Sequence, residues 1–380
     1  MRHCLVALTA LLASPAAPAV AGVAEIPYFA RRYGVSCEQC HVLPPKLNDF
    51  GERFVGNNYR MEGLTPRSTW PFAAWVSGRS DAPTLTDPAR RVLAYLNRVE
   101  VISGGRVVAP WLSYFVEWRP VSFESRDDGT LRDRSGRFED LFVTAQAGRV
   151  EVSVGQFRQG AQVDVSRRLG IAEPLFFAAS LAGAPGGAPR AAALRSFSLA
   201  GRSPAVRLGW VEAMGGGWQW RSHATVPVPG ELSLPLTNQA RDEASAELAL
   251  EPKGILFETF ARRGVSSLGA HLFWDGPDRY LAGVVGSTGG RTRFLTAGVG
   301  LDRVAQTTRG RWTLEAEWIP VSVAGLGARA EDRGDDGAEP AFVAFANAHV
   351  PGRRHTVRLT VERRWQRGRH ALLVELGVVF

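Results

Sequence analysis

The 380-residue chain holds three cysteines and three methionines, and beyond its first two dozen residues it has no long apolar run. Each shortage excludes something. Cys4 lies in an N-terminal segment expected to be removed, which leaves Cys37 and Cys40, too few for a disulfide-stapled framework. A transmembrane helix needs roughly 20 consecutive apolar residues, and none is available in the mature chain. Disorder does not fit 45% hydrophobic residues. The formal charge of +8 comes from arginine spread evenly along the chain. It forms no basic block and no nucleic-acid motif, so no nucleic-acid partner is expected. Helical periodicity is nearly absent after Trp70.

What is present begins with an export signal. Arg2 and His3 precede an apolar run from Leu5 to Leu12, followed by small residues and prolines up to Ala19, Val20 and Ala21. A basic start, a short apolar core and a small-residue cleavage site make a secretory signal peptide, residues 1–21. Cleavage after Ala24 is the second choice.

The two remaining cysteines stand in Cys37-Glu38-Gln39-Cys40-His41. Thiols at this spacing form thioethers with the two vinyl groups of one covalent haem c, and the adjacent imidazole ligates the iron as proximal ligand. A bare disulfide in an oxidising compartment is the plainer alternative. Zinc would need four ligands, and no second Cys/His pair with zinc spacing exists. Residues 22–66 read as the haem segment. Leu47, Phe50 and Phe54 follow helical spacing, so a short helix is expected to lay an apolar face on the porphyrin. Pro44 and Pro45 stop any helix running on from the haem motif, and Gly63-Leu64-Thr65-Pro66 reads as a linker. Met61 is the methionine nearest the motif and the candidate distal ligand of the haem iron. Its plainer reading is packing. His223, His271 and His349 alternate with apolar neighbours on later strands and are the other candidates.

From residue 67 to 380 the pattern has period two. Trp312, Leu314, Ala316 and Trp318 share one face, and Thr313, Glu315 and Glu317 the other. Val357, Leu359 and Val361 oppose Thr356, Arg358, Thr360 and Glu362. Such stretches run to about ten residues between turn signals and number about 16 to 18. The expected fold is mainly β: an outer-membrane barrel of antiparallel strands carrying a small, N-terminal, helical haem segment. A soluble periplasmic cytochrome with an all-β domain is the rival. Alternation from Leu372 to Phe380 and charges at alternate mid-strand positions favour the barrel. A trace with a weak strand at Glu231 to Leu236 makes the turns near 103–106, 148, 229–230, 251–254, 275–278 and 350–354 periplasmic. It puts longer loops, 120–137, 158–192 and 324–338, outside.

Tyr33-Gly34, the haem motif, Pro45, Leu47, Phe50-Gly51, Phe54 and Asn57-x-Tyr59 together resemble the head of the fused cytochrome–porin family, with Asn58 where that family usually has glycine. Val154-Gly155-Gln156-Phe157 is similar to a strand end of several porins. In that family a monohaem segment precedes an outer-membrane porin in one polypeptide, and its characterised members are outer-membrane iron(II) oxidases. The resemblance implies an electron-transfer cytochrome or iron(II) oxidase that passes electrons from extracellular iron(II) to a periplasmic cytochrome or other carrier. A transport barrel with the haem segment as plug or redox gate is the alternative. Two acidic groups on expected outer loops, Glu124, Asp127 and Asp128, then Glu331, Asp332, Asp335, Asp336 and Glu339, suit capture of a divalent cation. Solvated loops are the plainer reading.

Overall fold

Along Thr307–Val321 the side chains of Thr313, Glu315 and Glu317 are buried, while Leu314, Ala316 and Trp318 are exposed. In a water-soluble domain this would be inside out. The same inversion recurs around the molecule: Val154, Leu208, Trp210, Leu268 and Val299 face outward, and Glu151, Arg221, Glu258, Arg329 and Glu331 are buried within. An apolar exterior around a charged interior is the architecture of the bacterial outer membrane, where a closed sheet satisfies every backbone group without water.

The computed structural model describes residues 28–379 except 57–58, 60–71, 83–92, 108–110, 126–129, 160–167, 172–173, 179, 182–196, 200, 229–231, 235–253, 278, 305–306, 333–338, 352–355 and 367–368. The N-terminal part comprises α1 (Tyr28–Tyr33), β1 (His41–Leu43), β2 (Lys46–Leu47) and α2 (Asp49–Gly56). The wall begins with β3 (Ala73–Ala82), β4 (Leu93–Arg106) and β5 (Leu112–Ser125), then the three-residue β6 (Leu131–Asp133), β7 (Arg137–Ala147) and β8 (Val150–Arg158). Between β8 and the next wall strand lie α3 (Leu175–Ala178) and the short pair β9 (Ser180–Leu181) and β10 (Phe197–Ser198). The wall continues with β11 (Arg202–Ala213), β12 (Gln219–Pro227), β13 (Ile255–Arg263), β14 (Ser266–Trp274), β15 (Arg279–Gly289) and β16 (Arg293–Val304). It ends with β17 (Thr307–Val321), β18 (Ala324–Asp332), β19 (Ala341–Pro351), β20 (Thr356–Gln366) and β21 (Arg369–Val379). Because β5 pairs directly with β7, β6 is an appendage, and 16 antiparallel strands close the barrel. The seam joins last strand to first, with Val379 opposite Trp75.

An even strand number returns the chain to the mouth where it started. That mouth carries the connections 107–111, 148–149, 214–218, 264–265, 290–292, 322–323 and 352–355 and is called the short-turn mouth. The opposite, long-loop mouth carries 83–92, 126–136, 159–201, 228–254 and 333–340 among others. Of the expected strand at Glu231 to Leu236, residues 232–234 are described, and there Ser233 makes one isolated bridge to Arg137; β12 pairs directly with β13, so no strand stands between them in the wall. One strand fewer reverses the polarity of that stretch. The turns near 229–230, 251–254 and 275–278 therefore lie at the long-loop mouth, opposite to the sequence reading, while 148 and 352–355 lie where expected.

Two glycine signals also misled. Gly104 is strand, set between Phe29 and Phe115 where a Cβ would come within 2.8 Å of the Phe115 ring. Gly325 and Gly327 are strand as well. A Cβ at Gly325 would meet Leu169 at 2.5 Å and one at Gly327 would meet Phe345 at 2.1 Å, so these glycines make room for packing rather than for turns.

Of the connection 159–201, the described pieces Arg168 to Ile171 and Pro174 to Ala178 turn into the lumen. Phe176 and Phe177 are fully buried in a cluster with Leu199, Leu256, Phe273, Leu281 and Val285 from the inner wall. Arg311 donates to the Phe176 carbonyl and stacks on its ring, 4.3 Å from the centroid.

Candidate functional site

The haem motif occupies a tight, locally determined bend. Gly34, at φ 64°, lets the chain leave α1, as a left-handed C-terminal glycine does. A single 3-10 turn over Cys37–Gln39 follows, closed by the Cys40 amide donating to the Cys37 carbonyl at 3.1 Å. His41 opens β1, which folds back on β2 through Pro44 and Pro45.

Asn48 ties this bend to α2. Its Oδ1 accepts from the amides of Phe50 and Gly51, both at 3.0 Å, capping the helix. Its Nδ2 donates to the carbonyls of Glu38 at 3.0 Å and Gln39 at 3.1 Å, and its amide donates to the Cys40 carbonyl at 2.9 Å. One asparagine thus holds the carbonyls of three successive residues, Glu38, Gln39 and Cys40, against the helix start. The sequence reading passed over it, although an asparagine before an Asp-Phe-Gly-Glu helix start is a recognisable cap. The cap also moves the helix start past Leu47, which lies in β2 and not on the helix as its spacing suggested. Gly51 approaches so closely that a Cβ would stand 2.1 Å from the Cys40 carbonyl oxygen.

An apolar bed lies beside the motif. Tyr33 and Phe54 are buried, with Phe29, Val35, Cys40, Phe50, Val55 and Tyr59 packed against them. Both thiols are half-buried and not bonded to each other. Burial pushes the Cys40 thiol up to about 11, with a smaller contribution from Cys37. Burial, then the Glu38 carboxylate, raises Cys37. Among the described residues no three His, Cys, Asp or Glu side chains converge to hold a metal ion. The donor set of two thiols on one turn, an adjacent imidazole and an aromatic bed fits a covalent haem.

This head is seated inside the barrel at the short-turn mouth. Lys46 pairs with Glu317, Glu52 with Arg262 at 3.1 Å, and the Asp49 carboxylate accepts from the Val265 amide at 3.1 Å. Leu43 is fully buried among Leu169, Phe294, Ile319, Val343 and Phe345. Tyr59 stacks between Phe29 and the wall residue Phe115, with centroids at 5.4 and 4.4 Å. Glu317 serves twice, since its other oxygen accepts from the Leu169 amide of the inward-folded loop at 2.7 Å.

Of the candidate distal ligands, Met61 lies outside the described residues, as do the signal peptide and the linker. His223 and His271 point into the lumen but are engaged there, His223 with Glu151 at 2.7 Å and His271 with Arg311 at 3.0 Å. His349 is buried near the short-turn end of β19, and among the described residues its Nε2 has no hydrogen-bond partner.

Between the head and the long-loop mouth lies a polar cavity of about 660 Å³. It runs from Glu124 and Arg134 near the long-loop rim to Pro45 of the head, bounded on one side by Arg168, Gly170 and Ile171 of the inward loop. Its wall carries a linked set of ion pairs: Arg119 to Glu100 at 3.0 Å and to Glu139 at 2.6 Å, and Arg202 to Glu139 at 2.8 Å. Of the acidic groups read from sequence, Glu124, Glu331, Asp332 and Glu339 are described, and Glu124 lines this cavity. Glu331 is fully buried on β18 and paired with Arg329 at 3.1 Å. Glu339 is exposed, and Asp127, Asp128, Asp335 and Asp336 lie outside the described residues.

No family model and no curated protein matches the chain. Solved structures do: an anion-selective porin from Comamonas acidovorans, 11% identical, aligns over 81% of this chain and 98% of its own with a TM-score of 0.49. A mutant porin of Rh. blastica, also 11% identical, aligns over 81% of this chain and all of its own with a TM-score of 0.45.

Proposed function

We propose that the protein is an outer-membrane c-type cytochrome whose barrel is stopped by its own haem head, and that it carries electrons across the membrane from extracellular iron(II) to a periplasmic carrier. The observation that carries this reading is the seating of the Cys37–His41 turn inside the short-turn mouth. By the habit of such barrels this mouth is periplasmic, and Ser36, Glu38 and Gln39 are exposed there to a docking carrier. Cys37 and Cys40 hold the haem covalently, His41 is the proximal ligand, and Met61 or His349 the distal one. When bound, haem supplies one-electron chemistry. The residues around it exclude water, through Phe54, Tyr33 and Tyr59, and fix the motif, through Asn48. The resemblance to the fused cytochrome–porin family supports the same reading, with iron(II) oxidase activity as its enzymatic form.

The test is purified protein in liposomes, with iron(II) outside and an acceptor cytochrome inside. Haem reduction followed by acceptor reduction is expected, and haem that washes out of denatured protein into acidified organic solvent would overturn the covalent assignment. A second reading is favoured by the polar cavity: a transport barrel in which the head is a plug or redox gate. Large ohmic conductance with slow haem reduction would select it.

A further inference from the structure

Strand β19 turns every second side chain into the lumen: Val343, Phe345, Asn347 and His349 are buried, while Phe342, Ala344, Ala346, Ala348 and Val350 face outward. His349 ends the inner series at the short-turn mouth, and only 5% of it is exposed. Its Nε2 is sealed from solvent without a hydrogen-bond partner among the described residues. A buried polar nitrogen left unpaired costs free energy and calls for an explanation. Neutral imidazole is also the form of histidine that ligates a metal. The register puts His349 at the level of the haem motif. A Cβ on Gly325 would stand 3.0 Å from the Leu43 side chain, so the head meets β18 there, and Gly325 is the ladder partner of Asn347. His349 lies two residues past Asn347 toward the short-turn mouth, about 7 Å along the strand. On the head, the same direction leads from Leu43 back to His41, because β1 enters from the exposed turn at Ser36 to Gln39 and runs on to Pro45 beside the polar cavity. His41 and His349 therefore each stand two residues mouthward of one contact between head and wall. The other described histidines do not meet this condition: Glu151 engages His223, Arg311 engages His271, and His370 stands at the long-loop end of β21.

We propose that His349, and not Met61, is the distal ligand of the haem iron, so that head and wall each supply one axial imidazole. This rests on the covalent-haem reading above and reduces its two alternatives to one. Two imidazoles hold the potential lower than an imidazole with a thioether does. A ligand on the wall also links the iron to the barrel, since coordination is complete only once β19 is in place.

The experiment uses the intact haem-loaded protein in detergent, with heat-modifiable gel mobility confirming that each variant is a closed barrel. Expected of the oxidised protein are a low-spin haem and no sulfur-to-iron band at the red end of the absorption spectrum. His349→Ala should turn most of the haem high-spin, and added imidazole should return it to low-spin. His349→Met should introduce the sulfur band and raise the midpoint potential, which a loss of packing alone does not do. Covalent haem content, read from the pyridine haemochrome, should be the same in all three proteins. A low-spin spectrum unchanged in His349→Ala would overturn the proposal, as would a sulfur band in the unsubstituted protein that is lost in Met61→Ala. Either result leaves the covalent-haem reading standing. Protein that carries no covalent haem would overturn both.

Discussion

Glu317→Gln should loosen the head and the inward loop together. The Lys46–Glu317 pair is almost fully buried, with side-chain exposures of 7% and 2%. Removing one partner of such a pair leaves an uncompensated charge, at a cost of roughly 3–5 kcal/mol. At about 1.4 kcal/mol per factor of ten, local opening should rise about a hundred- to a few-thousand-fold. The substituted amide keeps an acceptor for the Leu169 amide, so the charge effect is isolated from loss of that hydrogen bond. Native-state amide exchange reads the result directly. Protection at Leu43, Lys46 and Leu47 should fall, followed by that at Leu169, while mid-wall strands such as β15 stay protected. Lys46→Met combined with Glu317→Gln removes the stranded charge and should restore most of the protection. Unchanged exchange at residues 43–47 in Glu317→Gln, or a double variant no better than the single one, would refute the claim that this pair seats the head.

Gly51→Ala should cost at least 1–3 kcal/mol in the head through overpacking against the Cys40 carbonyl. Covalent haem content, read from the pyridine haemochrome, should fall while heat-modifiable mobility is retained. In haem-free Cys37→Ser protein, which keeps the burial of Cys40 and loses the smaller contribution of Cys37, alkylation of Cys40 should reach half its maximal rate at a pH well above about 8.5. Burial disfavours the thiolate, so the reactive form appears only above the pH of about 8.5 typical of an exposed thiol, and a midpoint near 8.5 would show that the thiol is open to solvent. Arg329→Met removes the near partner of the buried Glu331 carboxylate and one of two partners of Glu315, which keeps Arg168 at 3.1 Å, and should destabilise the wall by roughly 3–5 kcal/mol. The temperature at which gel mobility shifts should drop, and adding Glu331→Gln should recover part of it.

The wall was legible because one rule governs it. Alternation sorted Thr313, Glu315 and Glu317 from Trp312, Leu314 and Trp318 before any coordinates, and the burial follows that sorting. Strand count and polarity were less legible, because glycine serves two purposes. At Gly104, Gly325 and Gly327 it admits a ring or a leucine from elsewhere in the chain, which no local pattern records. The head's motif suggests a chemistry, but its place in the barrel was not legible. Lys46 finds Glu317 and Glu52 finds Arg262 across more than 200 residues, and the sequence does not announce such pairings. The inward placement of Arg168 to Ile171 and of Phe176 and Phe177 was hidden for the same reason, since their partners lie on distant strands.

The partners that seat the head lie on β13, β17 and the turn after β13, late in the chain. They impose an order on assembly. Until those strands exist and β21 has found β3, the head has no socket, and its haem motif is open on every side. Ring closures spanning most of a polypeptide are slow, so this interval is long on the scale of local folding. Enzymes that modify cysteines need access to them. On the covalent-haem proposal, the late socket would give the attaching enzyme its working time, and barrel closure would end it by enclosing the head on the side of Leu43 and Phe54. The distance between Lys46 and Glu317 along the chain is in this sense a timer.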